Sequence, residues 1–236
     1  MTSLVEGKKM YMRRLEKILS PEIYSGFKKM RKNVQVFCDE NKLKEVVSYF
    51  QKELEKVPKW SKDKIVEETM RIQADADCDY LLDIVTTLLM INIRILTDNI
   101  KVDLEVPQLY TFIHRCYIFI ASELWSNPEL LTLKGSSSEL HKNYQLVMKI
   151  IRSGINDAIQ YYLPMKPILN QYLRNQDNDY ENDNISLSDS SVSEEVSNES
   201  DNEEENEEIS STVAEPSNRT HSTFFEDASD IDVDVE

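Results

Sequence analysis

The sequence has little glycine, histidine and cysteine. Its 236 residues include 4 glycines, 3 histidines and 3 cysteines. Phosphate-binding loops and doubly wound nucleotide folds place glycine at tight turns between strand and helix, so this shortage argues against both. Scattered histidine and cysteine argue against a dense metal or disulfide framework. Residues 1–174 also lack any period-2 alternation of apolar and polar residues long enough to predict a strand.

Charge divides the chain into two parts. Residues 1–174 hold 26 basic and 22 acidic side chains, whereas residues 175–236 hold 21 acidic side chains and one basic one, Arg219. The first part therefore carries +4 and the second −20 of the net −16. We predict a helical globular domain over 1–174. Residues 175–236, rich in Ser, Asn and Glu, are predicted to form a disordered acidic tail, because they contain too few apolar residues to form a core.

Apolar periodicity predicts an all-α fold, a compact domain of about seven or eight helices. Ser20-Pro21-Glu22 reads as a helix start, with a capping serine and proline at the first helical position. Ser136 and Glu139 have the spacing of a capping box. Prolines mark the breaks between several helices. The predicted helices are 3–19, 21–32, 40–56, 61–76, 79–98, 108–126, 136–163 and 165–174.

Two predicted helices are apolar nearly all round, residues 80–96 and 109–125. Asp83 and Arg94 interrupt the first, and His114 and Glu123 interrupt the second. A membrane-spanning helix needs about 20 predominantly apolar residues, so both are predicted to be core helices and no membrane span is expected. Glu6, Lys8 and Lys9 stand where a signal peptide would have its apolar region, which predicts that the protein is not secreted.

No motif in the sequence predicts catalysis, a metal site or a cofactor. The acidic run Asp75–Asp79 lacks the glycine and glutamate of a calcium loop, and we interpret it as an acidic turn before a helix. His114 and Cys116 lie two residues apart on one predicted helix, without further ligands nearby, which favours core or half-buried positions. A Cys–His nucleophilic pair would also need an orienting group and an oxyanion site. We therefore expect no enzymatic activity.

The first 32 residues are strongly basic, with nine Lys and Arg against three acidic side chains. Such a segment can contact nucleic-acid phosphates or an acidic partner, or can be an ordinary solvated helix face. It can also be neutralised by the acidic tail folding back. The candidate contact residues are Lys8, Lys9, Arg13, Arg14, Lys28, Lys29, Arg31 and Lys32.

The tail contains candidate modification and docking positions. Ser186 and Ser191 each have an acidic residue three positions later, a pattern that acid-directed kinases favour. Residues 223–228 place two adjacent Phe inside a polyanion, and apolar anchors flanked by acids often dock in grooves. This segment resembles, with one extra acid, the two-Phe motif that tethers proteins to endoplasmic-reticulum receptors. The candidate linear motif is Phe224, Phe225, Glu226 and Asp227.

Four strings resemble a family of helical proteins, uncharacterised in function, that nucleocytoplasmic large DNA viruses encode, among them the giant mimivirus-like viruses. They are "LVEGKKMYMRRLEKILSPEIYSGFKKM", "VPKWSKDKIVEET", "FIHRCYIFIASELWSNPELL" and "MKPILNQYL". The resemblance covers most of residues 1–173 and implies a viral protein in the host cytoplasm, a virus factory or the virion. It implies no activity and no functional residues.

These observations together predict a non-enzymatic adaptor. The helical domain would bind a viral or host protein, and the acidic tail would recruit partners or regulate binding. One alternative is a virion structural protein that packs between other components. Another is a nucleic-acid-associated factor that uses the basic N-terminus. Oligomeric state does not follow from the sequence.

Overall fold

The structure, a computed structural model, describes residues 2–97, 103–170 and 173, and these ranges contain helices and no strand. The predicted all-α fold is confirmed for them. Two 3-10 turns, Val57–Lys59 and Pro128–Leu131, and a short helical stretch at 165–170 accompany six longer helices. The six are α1 (Thr2–Glu40), α2 (Val46–Leu54), α3 (Lys62–Ala76), α4 (Leu81–Thr97), α5 (Leu109–Ser126) and α6 (Ser137–Tyr161).

The first helix differs from the prediction, because α1 is one helix of 39 residues with Pro21 inside it. An internal proline costs about 3 kcal/mol. The fully buried Leu19 and Ile23 on either side of it each contribute about 1.5–3 kcal/mol by burial, which offsets that cost. Ser20 therefore caps nothing, and its buried hydroxyl has no hydrogen-bond partner in the described residues. The predicted division into 3–19 and 21–32 is wrong.

The second helix is shorter than predicted. Because α1 continues to Glu40, the turn falls at 41–45, where Lys42 has a positive φ of 55°. The new helix, α2, begins only at Val46 and ends at Leu54. The predicted helices 61–76, 79–98, 108–126 and 136–163 match α3 to α6 to within a few residues. The predicted helix 165–174 is helical over 165–170, and residues 171, 172 and 174 lie outside the described residues. Ser136 and Glu139 form the predicted capping box at the start of α6.

The core lies where α4, α5 and α6 meet the buried stripe of α1. α4 and α5, the two helices predicted to be central, are mostly buried. Gly154 of α6 faces Ile120 of α5 so closely that an added Cβ would lie 2.5 Å from the Ile120 Cγ1 atom. Glycine at this position lets the two helices approach. Among the described residues, no single helix could span a membrane by length and composition; α3 and α4 pass that test only as a pair bent by 98°.

Candidate functional site

A half-open groove of about 630 Å³ runs between α1, α2, the Val57–Lys59 turn and α3, with α5 beneath it. Aromatic and other apolar side chains form most of its walls, and charged side chains surround them. Phe37 and Tyr49 pack together across the α1–α2 side, with ring centroids 5.8 Å apart. The lining residues are Gly26, Lys29, Met30, Asn33, Val34, Phe37, Tyr49, Glu53, Lys56, Trp60, Lys64, Glu67, Glu68 and Tyr117.

The floor of the groove is a polar contact between α5 and α3 beneath α1. The Tyr117 hydroxyl donates to the Glu68 carboxylate over 2.6 Å. Burial raises the pKa of Tyr117 well above its ordinary value, so the hydroxyl stays protonated as the donor. Gly26 makes room for this pair, since an added Cβ would lie 2.1 Å from the Tyr117 Oη atom and 2.8 Å from the Glu68 Oε1 atom.

Arg71 of α3 holds Glu68 in place. Its Nε and Nη2 atoms donate to the two Glu68 carboxylate oxygens over 3.0 and 2.7 Å. The Nη2 atom also donates to the Glu22 backbone oxygen over 2.8 Å, and Nη1 donates to Asp75 over 2.8 Å. The hydrogen bond to Glu68 raises the pKa of Arg71. A bidentate pair of this kind is geometrically specific, so it fixes α3 against α1 and gives the groove a rigid floor.

Trp60 forms one wall of the groove. Its ring stacks on His114 with centroids 6.0 Å apart, and the Lys64 ammonium lies 4.3 Å above it. The His114 Nε2 atom lies 2.8 Å from the Val57 backbone oxygen, and burial lowers the pKa of His114. The Trp60 indole N–H is buried and has no acceptor among the described residues. Burying a hydrogen-bond donor without an acceptor costs free energy. The Trp60 wall therefore carries a donor that no described residue satisfies.

The charged residues around the groove are only partly paired with one another. Lys56 is paired with Glu53 over 2.6 Å. Glu68 belongs to the floor, as described above. Lys29 and Lys64 have no carboxylate within 4.0 Å in the described part of the chain. Partial burial lowers the pKa of Lys64. Lys29 and Lys64 are therefore lining cations without an ion pair among the described residues. Lys64 also interacts electrostatically with Glu53, Glu67 and Glu68.

The structure separates the basic residues that the sequence groups together. Lys8 and Lys32 are 24 positions apart in α1, a distance of about 36 Å along the helix. Arg14 donates to the Tyr80 hydroxyl. Lys28 lies 5.8 Å from the Tyr24 ring centroid, away from the groove that Lys29 lines. The exposed members of the predicted set are Lys9, Arg13, Arg14, Lys28, Lys29 and Lys32, and Lys8 is half-buried.

Arg31 corrects the prediction of a surface contact, since it is only 4% exposed. It falls on the buried stripe of α1 with Phe27 and Val34, and its guanidinium lies 5.4 Å from the Phe50 ring centroid. Burial lowers the pKa of Arg31. Its Nε and Nη1 atoms have no hydrogen-bond partner in the described residues. Arg31 therefore acts as a core residue and is not free to bind a partner.

The other predicted positions have mixed outcomes. His114 is half-buried and Cys116 is fully buried, as expected for core helix positions, and burial raises the pKa of Cys116. Asp77 ends α3 in the left-handed conformation, with φ 46°. The prediction that His114 and Cys116 bind no zinc stays a prediction. Ser186, Ser191, Phe224, Phe225, Glu226 and Asp227 lie outside the described residues.

Sequence reasoning missed the groove. Its aromatic side chains come from four elements that are far apart in sequence, so no local pattern unites them. The sequence held one indication of the groove, the glycine at position 26 inside a predicted helix. A glycine inside a helix costs about 1 kcal/mol relative to alanine, and it commonly marks a close approach.

The described residues define an all-α protein with an open aromatic groove. The chain belongs to the family of unknown function DUF5764, whose model matches residues 1–132. Every residue that lines the groove lies within that range. No curated protein and no solved structure matches the chain.

Proposed function

We propose that this protein is a non-enzymatic adaptor that uses the aromatic groove to bind a short segment of another protein. The observation that carries the proposal is the pairing of an apolar, aromatic lining with a rigid polar floor. Aromatic side chains supply large apolar contact areas and dominate the energetics of protein interfaces. Because Arg71 and Glu68 hold the floor in place, binding there requires little reorganisation.

The size and surroundings of the groove favour a peptide segment as the ligand. About 630 Å³ accommodates a few side chains, and the half-open form leaves room for a chain to enter and leave. Phe37 is 49% exposed at the edge of the groove. Because Phe37 both lines the groove and is exposed, its ring is accessible to a ligand.

Two neighbouring residues allow a matched test. Phe37 lines the groove, whereas Val36, 46% exposed, does not. Proteins that bind the full-length chain would be captured from the cells in which it naturally occurs, identified and purified. Each purified partner would then be titrated against the wild-type protein and its Phe37→Ser and Val36→Ser variants. We expect Phe37→Ser to weaken binding of the purified partner at least tenfold and Val36→Ser to change it less than twofold. Equal effects of the two variants would contradict the proposal.

A nucleic-acid role is a second candidate, supported by the exposed basic residues along α1. The net charge of −16 on the full chain opposes it by long-range repulsion from phosphates. The test is the salt dependence of binding to a double-stranded DNA probe, compared between wild type and Lys9→Glu/Arg13→Glu. A phosphate contact predicts a shallower slope for the variant.

The proposed setting is the cytoplasm or virus factory of a host cell infected by a large DNA virus, with the virion as a further location. The resemblance of four sequence strings supports this setting. Quantitative proteomics of infected cells and purified virions would test it, because an adaptor should be enriched in the cytoplasm and a packing component in the virion.

A further inference from the structure

We propose that the groove binds the protein's own acidic Phe-Phe segment, residues 223–228, and that this contact competes with partner binding. The inference rests on the proposed function, because it assigns a resident competitor to the same groove. Two features of the segment fit two features of the groove. Phe224 and Phe225 match the aromatic lining, and Glu226 and Asp227 match the unpaired lysines.

The apolar match comes first. Residues 175–236 contain three aromatic residues, Tyr180, Phe224 and Phe225, so the Phe pair is the one place in the acidic part of the chain where two aromatic anchors are adjacent. The groove offers Met30 and Val34 beside Phe37 and Tyr49. Aromatic pairs gain from offset or edge-to-face contact in addition to area burial, so a Phe side chain is well suited to this lining.

The charge match comes next. Lys29 and Lys64 have no carboxylate partner in the described residues, and two acidic residues follow the Phe pair directly. Glu67 is the one remaining acidic lining residue outside the two pairs described above. The three lysines and three glutamates of the lining balance in charge, so the match is local: the two acidic residues of the segment are opposite in sign to Lys29 and Lys64, which form no ion pair among the described residues.

The length of the chain permits the contact. The last described residue is 173, and 50 residues separate it from Phe224. Fifty residues can span at most about 165 Å, more than the length of about 58 Å of α1, so the segment is long enough to reach the groove. A tethered segment then competes at an effective concentration that is on the order of mM for short linkers and falls as the linker lengthens. Even a weak intrinsic affinity is therefore enough for competition.

The test uses the full chain with the double substitution Phe224→Ala/Phe225→Ala, which removes both aromatic anchors of its own segment. This variant is called the receptor. The probe is a fluorescein-labelled peptide of residues 219–230. We expect saturable binding to this receptor and at least tenfold weaker binding to wild type. Adding Lys29→Glu to the receptor should weaken binding at least fivefold. Adding Lys28→Glu, an identical charge change on a neighbouring exposed lysine outside the groove, should change it less than twofold.

Each of three results at a single protein concentration would overturn the inference: no binding to the receptor, equal binding to receptor and wild type, or equal effects of the two lysine variants. A difference between receptor and wild type that depends on protein concentration would assign the segment to a second copy, and would also overturn it. None of these results bears on the partner titration with Phe37→Ser and Val36→Ser. Failure of the inference and failure of the proposed function are therefore distinguishable.

Discussion

Helix α5 contacts its neighbours in two different ways. Against α6, Ile120 packs on Gly154 and the contact is apolar. Against α1, Tyr117 packs on Gly26 and the contact is polar, because the hydroxyl donates to Glu68. Both contacts depend on a glycine inside a helix, and the second lies beside the groove.

The difference shows how one helical protein combines a closed core with an open groove. At the α5–α6 contact, Gly154 lets Ile120 approach closely, in the tight packing that protein interiors generally show. A hydrogen-bonded floor instead fixes the spacing between α1 and α3 through Arg71, without filling the space above it. The groove is therefore a defined part of the fold rather than a packing defect.

The largest effect is expected from Gly26→Ala. The new Cβ would lie 2.1 Å from the Tyr117 Oη atom, so the hydroxyl must move and its bond to Glu68 must break. We expect a net loss of about 2–3 kcal/mol in the free energy of unfolding, because overpacking and the lost hydrogen bond outweigh the gain of about 1 kcal/mol from the helix propensity of alanine. Chemical denaturation measures it. Tyr117→Phe in the same chain should recover about 1 kcal/mol or more, since it removes the nearer of the two clashing atoms and leaves the Glu68 carboxylate free to shift. Strictly additive effects would contradict this geometry.

Gly154→Ala tests the other side of α5. The added Cβ would meet the Ile120 Cγ1 atom at 2.5 Å. Overpacking lowers the free energy of unfolding by about 1–3 kcal/mol, and the higher helix propensity of alanine offsets about 1 kcal/mol of that loss. We expect a net loss of about 1 kcal/mol in denaturation experiments. When Gly154→Ala is added to the receptor, its affinity for the labelled peptide of residues 219–230 should change less than twofold. A larger change would show that the two sides of α5 are not independent.

The Arg31→Met substitution tests whether the buried guanidinium stabilises the fold. Arg31 lacks partners for two of its three nitrogens, and its contact with Phe50 recovers only part of the desolvation cost. We expect the variant to raise the free energy of unfolding by about 1 kcal/mol. Lys28→Met, at an exposed position, should change it by less than about 0.5 kcal/mol. A clear destabilisation by Arg31→Met would mean that the charge has an unrecognised role.

The smallest effect is the pH dependence that His114 contributes. Burial lowers its pKa, so near and below the ordinary value of about 6.5 the unfolded chain binds more protons than the folded one. Stability should therefore fall as pH decreases from 7 towards 5. The His114→Gln variant should show a shallower decrease in thermal denaturation over that range. An unchanged slope would contradict the assignment to His114.

The all-α fold and most helix boundaries could be predicted because they are local properties. Apolar periodicity located α3 to α6, and the spacing of Ser136 and Glu139 marked the start of α6. The continuity of α1 could not be predicted in the same way. Ser20-Pro21 is a local start signal, and packing on both sides of it overrides that signal.

The candidate site was harder to predict, because it depends on contacts between distant parts of the chain. Charge alone grouped Lys28, Lys29 and Arg31, yet the structure places them beside Tyr24, in the groove and in the core. The spacing of Phe27, Arg31 and Val34, which places them on one helix face, already indicated burial of the arginine. Trp60 and Tyr117 are 57 positions apart in sequence, and only the tertiary fold brings their rings to within 5.2 Å.

The most direct test uses the two tryptophans of the chain as reporters. Trp60 lines the groove, whereas Trp125 donates to Glu55 outside it. In full-length protein labelled with 5-fluorotryptophan, fluorine NMR gives one resonance for each, and Trp125→Phe assigns them. If the Phe-Phe segment occupies the groove, Phe224→Ala/Phe225→Ala shifts the Trp60 resonance and leaves that of Trp125 in place. An unchanged Trp60 resonance would contradict the account.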